Sequence, residues 1–214
     1  MPVNFHNLNE IKASVAQYPK SSLLVVSKNR SINDINEIYE SGCILFGENR
    51  VQEAQNKFQN YSHLKEIELH LIGPLQSNKV AQALCLFDVI QSLDRTKLVQ
   101  EIIKLKNKNL KFKTNKFYIQ INIGNEEQKS GIPINEIKEF YKYCLVSDIK
   151  IEGLMCIPPN NEEPKPFFNK MLSIRDSLSE NLLLSMGMSG DYKVALETGS
   201  NLIRVGSKIF TNNV

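Results

Sequence analysis

A lysine stands where an apolar strand gives out. The run Leu23-Leu24-Val25-Val26 is followed by Ser27 and then Lys28. Such a run reads as a buried parallel strand, and α/β folds place reacting groups at the C-terminal ends of these strands. Apolar surroundings would desolvate the amine, lower its pKa and leave it nucleophilic toward an aldehyde, with which it forms an imine. The alternative for a lone lysine is a side chain that snorkels past the strand end into water. Two later segments bear on the choice: Met186-Gly187-Met188-Ser189 and Gly206-Ser207. Glycines let the backbone approach an anion and hydroxyls add donors, as in a phosphate-binding loop. Taken singly, each segment reads better as a glycine ending a strand and a serine capping a helix. Together with Lys28 they fit a ligand that carries both an aldehyde and a phosphate, and pyridoxal 5′-phosphate (PLP) carries both.

Arg204 lies two residues before Gly206. Pointing inward, it would donate to a ring nitrogen. An arginine keeps its proton, so a pyridine nitrogen facing it stays unprotonated and the ring is a weaker electron sink. Pointing outward, it would pair with a helix carboxylate. The residues leave both readings open.

Placing these groups on one rim requires a particular set of elements. Apolar runs at Leu23–Val26, Ile44–Phe46, Leu69–Ile72, Val89–Ser92, Phe117–Ile123, Ile151–Met155, Leu183–Met186 and Leu202–Val205 read as strands. Helical periodicity fills the gaps at Leu8–Gln17, Arg50–Phe58, Val80–Leu86, Lys97–Lys106, Ile134–Leu145 and Pro166–Leu178. Ser31 with Asp34 forms a capping box before Ile35 and Ile38, and Asp94 is the expected N-cap of the helix holding Leu98 and Ile102. Eight strands alternating with helices predict a single (β/α)8 TIM barrel spanning residues 1–214. An open doubly wound sheet is the runner-up, but no glycine-rich turn follows the first strand.

The bulk properties exclude several classes. With 214 residues, 42% hydrophobic and 23% charged, the chain is sized for one core. The net charge of +3 calls for neither nucleic acid nor a membrane. There is no basic-then-apolar leader and no apolar run of spanning length, which predicts a cytoplasmic protein. Cys43, Cys85, Cys144 and Cys156 are scattered, and His6, His63 and His70 form no ligand spacing, so no metal is expected. Lys104, Lys106, Lys108, Lys111, Lys113 and Lys116 form a basic run. With Phe112 isolated among them, a solvated helix end is favoured over a nucleic-acid surface.

The motifs, read in order, resemble the pyridoxal phosphate homeostasis proteins, the YggS-like or proline-synthetase-associated family. They are Leu24-Val25-Val26-Ser27-Lys28, Phe46-Gly47-Glu48-Asn49-Arg50-Val51-Gln52-Glu53, His70-Leu71-Ile72-Gly73-Pro74-Leu75-Gln76-Ser77-Asn78-Lys79, Asn122-Ile123-Gly124, Lys129-Ser130-Gly131, Gly153-Leu154-Met155, Ser185-Met186-Gly187-Met188-Ser189 and Arg204-Val205-Gly206-Ser207-Lys208-Ile209-Phe210. The resemblance implies an alanine-racemase-like barrel of fold type III without a C-terminal β domain. It implies PLP held on Lys28 as an internal aldimine, with Ser189, Gly206 and Ser207 on the phosphate, Arg204 at the pyridine nitrogen and Asn49 near the ring. His70 and Met186 would support the site from strands beneath it. Three positions depart from the family pattern. Ser207 replaces a common threonine and keeps the hydroxyl. Leu69 replaces an aromatic, and Thr211 replaces a glycine. The chain ends three residues after Thr211, implying a short or absent C-terminal helix.

The resemblance further implies intracellular PLP homeostasis: buffering the cofactor or delivering it to apo PLP-dependent enzymes, as a monomer or weak homodimer. Racemases of this fold type take their second base from a partner's additional domain, for which this sequence leaves no room. The alternative is a weak PLP-dependent amino-acid racemase using a tyrosine or cysteine from within the barrel.

Overall fold

The computed structural model describes residues 2–58, 66–108 and 110–211. The apolar runs become β1 (Ser22–Val26), β2 (Leu45–Glu48), β3 (Glu68–Leu71), β4 (Val89–Leu93), β5 (Lys116–Ile121), β6 (Ile151–Cys156), β7 (Leu183–Ser185) and β8 (Leu202–Val205). They pair in parallel and in chain order, and β1 also pairs with β8, so the sheet closes into an eight-stranded barrel. Helix α1 (Phe5–Ala16) precedes β1. Helices α2 (Ile32–Glu40), α3 (Val51–Phe58), α4 (Val80–Leu86), α5 (Thr96–Lys106), α6 (Ile137–Val146), α7 (Pro164–Leu178) and α8 (Tyr192–Glu197) each link successive strands. Each predicted strand lies within two residues of the observed one at both ends.

Local chemistry starts several helices. The Ser31 hydroxyl accepts from the Asp34 N–H, and the Asp34 carboxylate accepts from the Ser31 N–H, as the capping box predicts. Asp94 does not cap α5. Its carboxylate takes the Arg95 guanidinium at 2.5 Å instead, and Arg95 occupies the cap position. Helix α8 was not expected, because its six residues are too few to display a period.

Strand alternation divides the barrel's side chains into two layers. Val25, Phe46, Leu71, Ile90, Ile119, Leu154, Leu184 and Val205 face the helices and join the large core, with Phe168, Leu8 and Ile11 packed against them. Leu24, Val26 and Leu202 form one packet in the lumen, and Val89, Tyr118 and Met155 form another. The register places Leu24 beside Arg204 and Gly47 beside His70, so those two polar residues also face the lumen. Met186 follows β7 on the opposite parity and packs in the helix-facing core, so it does not support the site from beneath. No described helix is long and apolar enough to cross a membrane. His63 and the three residues after Thr211 lie outside the described residues.

Candidate functional site

The loops after the strands enclose a cavity of about 650 Å³, and Lys28, Asn49, Ser189, Arg204, Gly206 and Ser207 all line it. Alternation aims the first of them. Val26 faces the lumen, Ser27 turns outward and is fully buried, and Lys28 returns to the cavity side. By then the strand has ended, so Lys28 stands above the packed layers and is exposed. The apolar burial expected around its amine is therefore absent: Ser27 takes the buried place and the lysine is carried past it.

On the next two loops, Asn49 borders the cavity where the chain after β2 crosses the chain after β3. A Cβ on Gly73 would stand 2.2 Å from the Asn49 carbonyl oxygen, so this approach requires glycine.

Across the rim, the loops after β7 and β8 meet. The Ser207 hydroxyl donates to the Ser189 hydroxyl at 2.9 Å, and the Lys208 N–H donates to the same oxygen at 3.4 Å. Gly187 adopts φ +96°, a conformation that glycine reaches without strain, and this turns the chain into the loop bearing Ser189. The β8 loop is braced from outside by α1. Asn7 donates its amide to the Lys208 carbonyl at 2.8 Å, and the Asn4 N–H donates to the Ile209 carbonyl at 2.8 Å. Arg30 lies over the Phe210 ring at 4.8 Å and also lines the cavity.

Arg204 points inward and is 3% exposed, which decides between its two sequence readings. It donates to the Ser185 hydroxyl and to the Cys156 carbonyl, both at 2.8 Å. No carboxylate among the described residues pairs with it. Burial pulls its pKa below the ordinary arginine value, yet a guanidinium keeps its proton. The barrel thus carries a guanidinium without a paired carboxylate, with further N–H donors at the cavity floor and Asp191 acting on it only at a distance.

Ser185 continues a polar chain through the lumen. Its hydroxyl donates to Gln91 Oε1 at 2.6 Å, Gln91 Nε2 lies 2.7 Å from His70 Nδ1, and His70 Nε2 lies 2.8 Å from Glu68. With the Gln91 amide donating to Nδ1, the imidazole carries its proton on Nε2 and donates it to the carboxylate. Lys116 closes the chain on Glu68 at 3.1 Å. The bond from His70, reinforced by Lys116, holds the Glu68 carboxyl at about 2 against an ordinary 4.5. A carboxyl lowered on folding adds stability that is present above its unfolded pKa and lost as pH falls toward the folded value. Glu68→Gln is therefore expected to lower the urea midpoint at neutral pH and to flatten its fall between about pH 4.5 and 2. Unchanged midpoints across that range would contradict the role given to Glu68.

Further lining comes from β5 and the segment after it. Gln120, Asn122, Gln128, Lys129 and Ser130 form that wall; the motifs held Asn122, Lys129 and Ser130 but gave them no role, and Gln120 and Gln128 lay outside them. The segment after β5 folds back so that Ile132 pairs with Ile121. Asn122 pins the turn by accepting from the Glu126 N–H and donating to the Glu126 carbonyl. That fold-back carries Lys129 to the cavity, and only the Lys129-Ser130-Gly131 motif hinted at it. In all, Lys28, Arg30, Lys129 and Arg204 border the cavity, and no carboxylate does among the described residues. Such a site suits an anion. The lysine run behaves as a solvated surface: Lys104, Lys106, Lys113 and Lys116 pair with Glu101, Asp148, Asp88 and Glu68.

No family model matches the chain. It is similar to the pyridoxal phosphate homeostasis protein of Aquifex aeolicus, at 39% identity over 89% of this chain and 86% of that protein. It is also similar to the Haemophilus influenzae protein of the same name, at 38% identity over 96% and 94%. Among solved structures, PipY of Synechococcus elongatus with PLP bound superposes with a TM-score of 0.82 at 29% identity, covering 96% of this chain and 99% of that one. Alanine racemase from Corynebacterium glutamicum, at 13% identity and a TM-score of 0.68, shares the barrel fold. The match covers 98% of this chain and 61% of the racemase.

Proposed function

This chain belongs to the pyridoxal phosphate homeostasis protein family, and on that premise we propose that it binds PLP at the barrel rim, holds it on Lys28 and yields it to apo-enzymes. The observation that carries the reading is the convergence on one acid-free cavity of an amine, a pair of facing hydroxyls and a buried guanidinium with no salt-bridge partner among the described residues. PLP supplies an aldehyde that condenses with a primary amine with loss of one water. Lys28 offers that amine at the open end of the cavity. Ser189 and Ser207, with the backbone at Gly206, bind the phosphate oxygens. Arg204, locked by Ser185 and the Cys156 carbonyl, faces the ring nitrogen and keeps it unprotonated. Asn49 borders the ring. PipY of Synechococcus elongatus, solved with PLP bound, supports PLP as the ligand.

The racemase reading requires a second base beside the ligand. Among the described residues, no tyrosine or cysteine lines the cavity. Tyr118 packs in the lumen, where burial raises its phenol pKa, and burial pushes the Cys156 thiol up to about 12. Neither group is poised to take a proton near neutral pH. The test pairs two assays on PLP-loaded protein: activation of an apo PLP-dependent enzyme, and turnover of alanine and serine. The expected result is activation with amino-acid turnover at background. Many turnovers per chain without activation would overturn the reading.

A further inference from the structure

The geometry assigns Lys57 of α3, with Glu48 and Glu53, the task of aiming Lys28 from behind. This inference rests on Lys28 being the anchoring amine. Lys28 is exposed, and its side chain makes no hydrogen bond to the described residues, so its direction is set by its backbone. Both peptide units that flank it are gripped from the helix side. Lys57 Nζ donates to the Ser27 carbonyl at 2.8 Å, and the Asn29 N–H donates to Glu53 Oε1 at 2.5 Å. Asn29 sits at φ +57°, a left-handed conformation disfavoured for most side-chain-bearing residues, and the bond to Glu53 helps to hold it.

Lys57 is fully committed to this arrangement. Its ammonium also reaches Glu48 Oε1 at 2.9 Å and Glu53 Oε1 at 2.6 Å, which gives it three acceptors with 12% of the side chain exposed. Glu48 is completely buried at the end of β2 and also accepts from the Ser27 hydroxyl at 2.7 Å. Its second oxygen has no partner among the described residues. Burying two carboxylates and an ammonium contributes little net stability compared with apolar packing, so the value of the cluster lies in the geometry it imposes. That geometry is the strand-end turn bearing Lys28. A small misplacement of a reacting amine is costly to bond formation.

The test compares two ligands on Lys57→Met and on the surface-side variant Glu53→Ala. PLP can attach to Lys28. Pyridoxine 5′-phosphate carries an alcohol in place of the aldehyde and probes the phosphate and ring contacts alone. Both variants are expected to attach PLP about tenfold more slowly, read by stopped-flow absorbance, while binding pyridoxine 5′-phosphate as the parent does. Equal loss for both ligands would mean general disruption of the cavity, and an unchanged attachment rate would mean no aiming role; either overturns the inference. If Lys57→Met does not fold, Glu53→Ala decides. Parent protein that never attaches PLP would instead sink the functional reading itself.

Discussion

Lys28→Ala is expected to bind PLP without attaching it. The variant should show none of the absorbance of the attached cofactor, trap nothing on borohydride reduction, and lose affinity by about a hundredfold, ~2.7 kcal/mol. Residual binding is expected because the phosphate cradle and Arg204 belong to other strands and are untouched. Alternation along β1 turns Ser27 outward and returns Lys28 to the cavity that Ser189 and Ser207 also line, on the strand that neighbours β8. A ligand with its phosphate on those hydroxyls stays within the one cavity that Lys28 borders. Full absorbance in Lys28→Ala would place the attachment elsewhere, with Lys129 the next amine on the cavity wall.

The double variant Ser189→Ala/Ser207→Ala should weaken PLP binding by about a hundredfold, at ~1.5 kcal/mol for each bond to a charged group. The two hydroxyls lie 2.9 Å apart and bond each other, so both already converge on one point. Replacing both avoids leaving one to compensate for the other. Pyridoxal, which lacks the phosphate, should bind the variant and the parent alike. A comparable loss for pyridoxal, or no loss for PLP, would mean the loops do not hold the phosphate.

Much of this arrangement was legible in the sequence, for physical reasons. Strands of a closed parallel barrel are buried on both faces, so β1 reads as a continuous apolar run from Leu23 to Val26, and β4 and β8 read as short, mostly apolar runs broken by Gln91, Ser92 and Arg204. That same two-sided burial hid which way Arg204 points, because every residue of β8 is buried and composition does not reveal parity. Parity also misled the reading of Met186, which falls on the helix side of β7. Lys28 is exposed, as in the snorkelling alternative, because the apolar run stops two residues short of it and Ser27 takes the last buried position.

Long-range polar structure was out of reach. Ser185 and Gln91 are 94 residues apart in sequence and meet only through barrel closure. Glu53 and Lys57 are recognisable as a helix-surface pair four residues apart, but nothing local says that the pair grips the neighbouring strand end. The fold-back after β5 depends on Asn122 closing its own turn, and it brought in Lys129 and Gln128, which no apolar pattern marks.

The central claim is that Lys28 is the covalent tether of a cofactor held on this rim. Its most direct test is borohydride reduction of the PLP-saturated parent protein followed by peptide mapping. The prediction is a pyridoxyl group on Lys28 and on no other lysine; an unmodified Lys28 in saturated protein would contradict it.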